Sequence, residues 1–360
     1  MDFDYLVSPF PIVSSIKMNR RPLTLPSLSL LLLLLLSCGR GGASAETATD
    51  TLPPTDTTAT APEPEEQKPL TAADISLREE LLFEEYHLDS VYDYRDTFRV
   101  VQYDQVRERL AYIESLYEEA NRWAVVANRQ NKNGESPTIK DFHRNEYKHV
   151  TDKYGVERYQ SAALYELSDT LQPVRYTQDG SLVHVIDSVG SFYHIFLARH
   201  DEGEYMVKRK YLELLPDSVF FDHVIFVDRN NQNILTVERE SRGQWLVRSV
   251  NPATTGRKRP PYARATPLGI YLLQERKPKM YYTGDGSSTI AGFAPYASRF
   301  CCGAYIHGVP VNNPHGKIRE WSPSLGTTPR SHMCVRNASS HAKFVYDWAP
   351  LRNSLVVVIE

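Results

Sequence analysis

Residues 331–336 read Ser-His-Met-Cys-Val-Arg, and residues 306–308 upstream read Ile-His-Gly. A cysteine is a strong nucleophile only as its thiolate, and an ordinary pKa of about 8.5 leaves a few per cent ionised at neutral pH. An imidazole close in space can take the proton. Two histidines stand near Cys334 in the sequence: His332 two residues before it and His307 27 residues before it. In a strand, residues two apart share a face with side chains that run roughly parallel, which disfavours His332 as the base. His307, arriving on a neighbouring strand, can present a ring nitrogen directly to the sulfur.

Outward from this stretch come Ala253-Thr254-Thr255-Gly256, Ala265-Thr266-Pro267-Leu268-Gly269, and a closing HAKFVYDWAPLRNSLVVVIE over 341–360. In order and spacing these segments resemble the L,D-transpeptidase (YkuD-like) family, whose hallmark is a His-Gly followed by [ST]-H-G-C-[IV]-[RN]. The resemblance implies a mainly β catalytic domain over 217–360, an L,D-transpeptidase-like β-sandwich, with Cys334 as nucleophile and His307 as general base. The Gly308 carbonyl would orient His307, and the main-chain N–H groups of Met333 and Cys334 would stabilise an oxyanion. Ser331 and His332 match positions that support the family's pocket. Arg336 matches its conserved polar position and would either touch a substrate carboxylate or brace the loop.

Met333 stands where the family has glycine. If that glycine adopts positive φ, methionine costs ~1–2 kcal/mol and shifts an oxyanion donor. The implied reaction is attack on the carbonyl of the third residue of a peptidoglycan stem tetrapeptide, expulsion of the terminal D-Ala, and transfer to an amine acceptor. Water as acceptor would give a carboxypeptidase or crosslink hydrolase. A spoiled oxyanion hole would leave a non-catalytic wall-binding lipoprotein. No metal or organic cofactor is implied. A second His-Gly pair, His315-Gly316, sits in a Pro/Asn-rich segment and reads as a decoy or lid residue. Either of Cys301 and Cys302 can pair with Cys334, or both are small buried residues on the strand that leads to His307.

The remaining sequence bounds the rest. The 360 residues carry 41 basic and 44 acidic side chains, a formal charge of −3, which gives no electrostatic case for nucleic acid. Four cysteines with no C-x-x-C pair exclude a disulfide scaffold and a structural zinc site of that kind. Lys17, Arg20 and Arg21 precede an apolar run from Leu23 to Leu36 that is shorter than the ~20 residues a membrane span needs. With Leu35-Leu36-Ser37-Cys38 it reads as a lipoprotein signal over 1–37, Met18 being an alternative start. Lipidated Cys38 would anchor the chain in the cell envelope at the outer membrane, facing the periplasm.

Residues 38–74, rich in Ala, Thr, Pro and Glu and free of aromatics, read as a disordered tether. A helical region is expected over 75–145. Its stripe is Val106, Leu110, Ile113, Tyr117, Ala120 and Val125, and a shorter helix runs from Ile75 to His87. Over 146–216, alternating runs at 182–187 and 192–197 with turns at Asp179-Gly180 and Gly190 resemble the bacterial SH3-like β-barrel that accompanies cell-wall enzymes. His184, His194 and His200 lie there without metal-ligand spacing. In the last region a hairpin turns at RNNQN (229–233), and Ser339 or Ser340 caps a helix over 341–348 that Pro350 stops.

Overall fold

The computed structural model describes residues 68–88, 99–119, 122–197 and 203–360. The expected signal over 1–37, Cys38, the tether up to residue 67, Ala120 and His200 lie outside these residues.

A six-stranded sheet forms the centre. Its order is Ser76–Glu79, Gln244–Pro252, Asn233–Ser241, His223–Asp228, Ser354–Ile359 and Gly269–Leu272. The hairpin between the third and fourth of these closes because the Asp228 carboxylate accepts the N–H groups of Asn230 and Asn231, both at 2.9 Å. The closing strand SLVVVI runs parallel to His223–Asp228 and antiparallel to Gly269–Leu272. All six of its residues are buried, because both faces are covered. Leu355, Val357 and Ile359 share one core with Val106, Leu110, Ile113 and Leu116 of helix α1 (Tyr103–Glu119). Val356 and Val358 face a second core with Ile306, Val335 and Val345 of helix α2 (Ser339–Trp348).

Next to this second core lies a four-stranded sheet in the order Glu275–Thr283, Ile290–Cys301, Ala304–His307, Val335–Arg336. It carries the loop that bears Cys334. The molecule is therefore mainly β, as the sequence leads one to expect.

Several expectations are corrected. Residues Ser76–Glu79 form a strand, not the start of a helix over 75–87. They pair in parallel with Gln244–Val247, so sheet pairing overrides a helical pattern. Val125 leaves the helical stripe and lies in the buried strand Trp123–Val126. The region read as an SH3-like barrel supplies six strands of an open seven-stranded sheet, from Leu212–Leu214 at one edge to Arg175–Gln178 at the other, and Trp123–Val126 supplies the seventh. Strand spacing along a sequence sets how many strands there are, not whether the first meets the last.

Ser339 does not cap α2 either. The cap position is Ala338 without a side-chain hydrogen bond. The Ser339 hydroxyl instead donates to Arg319 O at 2.6 Å and accepts the Val309 N–H at 3.1 Å. His184 packs 5.7 Å from the Trp123 ring, and His194 Nε2 lies 2.9 Å from Glu204. Among the described residues no group of three or more His, Cys, Asp or Glu side chains is placed to hold a metal ion.

His341 of α2 is fully buried, with Nε2 2.9 Å from the Ser249 hydroxyl and its ring 5.1 Å from that of Phe83. Burial disfavours the imidazolium and lowers its pKa to about 3. The unfolded chain then binds a proton near pH 6.5 that the folded chain refuses. Stability is complete above that pH and is lost as pH falls toward 3, by up to about 1.4 kcal/mol per pH unit. Urea unfolding of His341→Gln is expected to show a shallower loss of stability between pH 6.5 and 4 than the wild type. Parallel slopes would contradict a neutral buried His341.

Candidate active site

Ala304–His307 and Val335–Arg336 pair in parallel, with Ile306 opposite Val335 and His307 opposite Arg336. Side chains alternate along each strand, so Ile306 and Val335 point into the apolar core. Tyr305 and Cys334 pack together on the other side, with Met280, Ala294 and Ala297 of the neighbouring strands. His307 is two residues beyond Tyr305, on the face that Cys334 occupies. The register thus puts the candidate base on the Cys334 side of the sheet, two residues beyond Tyr305.

Both groups are buried: His307 is 0% and Cys334 5% exposed. His307 Nδ1 lies 2.7 Å from Gly308 O. A carbonyl only accepts, so Nδ1 carries the hydrogen and Nε2 is the unprotonated nitrogen of the neutral ring. Burial lowers the His307 pKa to about 3; the Gly308 carbonyl opposes the shift and the Arg336 charge adds to it. Burial raises the Cys334 thiol to about 11, against a main-chain hydrogen bond from Tyr305 and the Arg336 charge, both of which favour the thiolate. At neutral pH the pair is therefore thiol and imidazole, not thiolate and imidazolium. The Cys334 Sγ lies 3.8 Å from Gly303 O.

Gly308 has no room for a side chain. A Cβ there would stand 2.6 Å from the Ser339 hydroxyl and 2.9 Å from Pro295 Cγ. Gly308→Ala is expected to push aside the carbonyl that holds His307, with a fall in Tm of several degrees and about a tenfold loss of activity. Differential scanning calorimetry and turnover check the two effects; an unaltered Tm would show that the cradle yields.

The loop that bears Cys334 is held by its carbonyls. The Arg264 N–H donates to His332 O at 2.6 Å, and the Thr266 hydroxyl donates to Met333 O at 2.8 Å. The Ser331 hydroxyl donates to Cys334 O. In a trans peptide the C=O of one residue and the N–H of the next point in opposite directions. Arg264 thereby sets the direction of the Met333 N–H, and Thr266 that of the Cys334 N–H. Thr266 also accepts the Gly256 N–H at 2.8 Å. Gly256 is packed so closely that a Cβ would meet Arg264 O at 2.3 Å and Met333 Cα at 2.8 Å. The two small-residue segments thus meet at the loop and shape it.

Residues 222–359 match the L,D-transpeptidase catalytic domain (YkuD). No curated protein matches the chain. Among solved structures, one similar to part of it is the fused Zn-dependent amidase/peptidase/peptidoglycan-binding domain-containing protein from Clostridium acetobutylicum. It is 17% identical over 38% of this chain and 52% of that one, with a TM-score of 0.28. An L,D-transpeptidase from Mycobacterium smegmatis is 14% identical over 49% of this chain and 82% of that one, with a TM-score of 0.31. A third, the L,D-transpeptidase from Xylanimonas cellulosilytica, is 22% identical over 40% and 63%, with a TM-score of 0.28. The chain spans about half the length of the first of these.

Within the matched segment 222–359 the other residues singled out in the sequence fall as follows. His332 Nε2 lies 3.5 Å from Asp285, at the tip of the hairpin formed by Glu275–Thr283 and Ile290–Cys301. Arg336 exchanges main-chain hydrogen bonds with Thr254, each 2.9 Å. Met333 is not among the non-glycine residues with positive φ, so the left-handed strain anticipated for it does not arise. Its Cε reaches 3.7 Å from the point where a Gly303 Cβ would stand.

His315 is exposed in a turn, its N–H on Asn313 Oδ1 at 2.9 Å. Cys301, Cys302 and Cys334 are free, buried thiols. Cys301 ends its strand, and Cys302 occupies the turn before Ala304 with φ 48°. Sequence patterns did not reveal Arg264 as an anchor, because it acts through its own N–H on a carbonyl and any residue except proline supplies that group.

Proposed function

We propose that the chain is a peptidoglycan L,D-transpeptidase with Cys334 as nucleophile. The observation that carries this reading is the side of the sheet shared by Cys334 and a His307 whose Nδ1–H is committed to Gly308 O, so that Nε2 is the unprotonated ring nitrogen. A stem tetrapeptide places the carbonyl carbon of its third residue against the sulfur. As the sulfur–carbon bond forms, the thiol proton passes to His307 Nε2, and the carbonyl oxygen takes the negative charge. The N–H groups of Met333 and Cys334, set by Arg264 and Thr266, donate to that oxygen. Collapse breaks the bond to D-Ala, whose nitrogen takes the proton from His307. An acceptor amine then attacks the thioester by the same route in reverse.

Arg336 favours the thiolate as it forms, which fits a role as a local charge beside the pair. The lipoprotein signal and Cys38 belong to the same proposal, as an envelope anchor holding the catalytic domain near the wall. Acceptor choice separates a transpeptidase from a carboxypeptidase. Incubation with disaccharide-tetrapeptide, read by mass spectrometry, is expected to give a crosslinked dimer and free D-Ala. A disaccharide-tripeptide alone would indicate water as acceptor. No product at all would overturn the enzymatic reading.

A further inference from the structure

The anchor Arg264 is itself gripped by residues of the preceding region. Its guanidinium donates to Glu157 at 2.5 Å and to His149 Nδ1 at 2.8 Å, and lies 5.4 Å from the centre of the Tyr147 ring. The Tyr147 hydroxyl donates to Ala263 O at 2.6 Å. Asn145 donates to the other Glu157 oxygen at 2.8 Å, which turns the carboxylate toward Arg264. The Glu157 side chain is 14% and that of Arg264 28% exposed, so this charge-assisted bond is largely shielded from solvent.

From these contacts a continuous path runs from residues 145–157, outside the catalytic domain match at 222–359, to the nucleophile loop. Glu157 holds the Arg264 side chain; Arg264 holds His332 O through its main chain; two residues on, Thr266 holds Met333 O. We infer that Glu157 and Arg264 are positioning residues for the reaction at Cys334: the pair sets the orientation of the Met333 and Cys334 N–H groups. The preceding region is then part of the catalytic apparatus rather than only a spacer between anchor and enzyme. This inference rests on the proposed role of Cys334.

The test compares two reactions of Cys334 in the full chain. Acylation by p-nitrophenyl acetate forms a sulfur–carbon bond, sends the thiol proton to His307 and releases p-nitrophenolate. It passes through an oxyanion. Alkylation by iodoacetamide displaces iodide at an sp3 carbon and needs no oxyanion donors. Losing one donor outright costs about 10²–10³-fold, and misdirecting one is expected to cost about tenfold. Glu157→Gln and Arg264→Ala should therefore lower the acylation rate about tenfold and change the alkylation rate less than twofold. Arg264→Lys should recover part of the loss, since it keeps the charge.

Tyr147→Phe removes one hydrogen bond and no charge, so it serves where the other variants fold poorly, and should lower acylation by a smaller factor in the same direction. Rates of both reactions that fall together, or an acylation-to-alkylation ratio equal to that of the wild type in all four variants, would overturn the positioning role. Failure of the wild type to process a tetrapeptide counts instead against the transpeptidase reading.

Discussion

Cys334→Ala is expected to abolish turnover of a disaccharide-tetrapeptide, a loss on the order of 10³-fold or more, with little change in Tm. The site is small and apolar, with Met280, Ala294, Ala297 and Tyr305 around the sulfur, and alanine fills it with the loss of one atom. Cys334→Ser should be nearly as inactive, because a hydroxyl is far harder to ionise than a thiol and His307 is a weak base in this pocket. Turnover and calorimetry on the two variants check this together. Retained turnover by either would assign the chemistry to another group.

His307→Ala is expected to cost about 10²–10⁴-fold in kcat/KM, and the wild type should display an unusual pH signature. With the imidazole near 3 and the thiol near 11, the free enzyme keeps one protonation state across the neutral range. Alkylation by iodoacetamide, which needs the thiolate, should then rise about tenfold per pH unit from pH 6 to 10. A preformed thiolate–imidazolium pair would instead give a rate that is flat above its low thiol pKa. The kcat/KM for a tetrapeptide, where the proton moves during attack, should be nearly constant over the same range. A plateau in alkylation from pH 6 upward would contradict the neutral pair and the geometry drawn from it.

Much of the fold and the arrangement of the candidate site was legible in the sequence, for identifiable reasons. The SLVVVI run reads as a strand because it is β-branched and continuous, and the structure shows why no alternation is visible: α1 covers one face and α2 with Ile306 and Val335 the other. His307 and Cys334 could be paired on paper because a strand offers only two faces. The anchors could not. Arg264 works through an N–H, Thr266 through a hydroxyl on a carbonyl, and Glu157 reaches Arg264 across 107 positions of sequence; no periodicity encodes such contacts. The segment after Ile75 misleads for a related reason. Its charged and apolar residues suit a helix, yet Ser76–Glu79 lies beside Gln244–Val247 and pairs there. Local preference is a weak prior where a sheet edge is available.

The most direct measurement is the intact mass of the protein after brief mixing with disaccharide-tetrapeptide and acid quenching. Thioester chemistry at Cys334 gives a covalent adduct of the disaccharide-tripeptide, mapped by proteolysis to the peptide that contains Cys334, with one equivalent of D-Ala released and no adduct on Cys334→Ala. An unmodified wild-type mass accompanied by product formation, or an adduct that persists in Cys334→Ala, would contradict it.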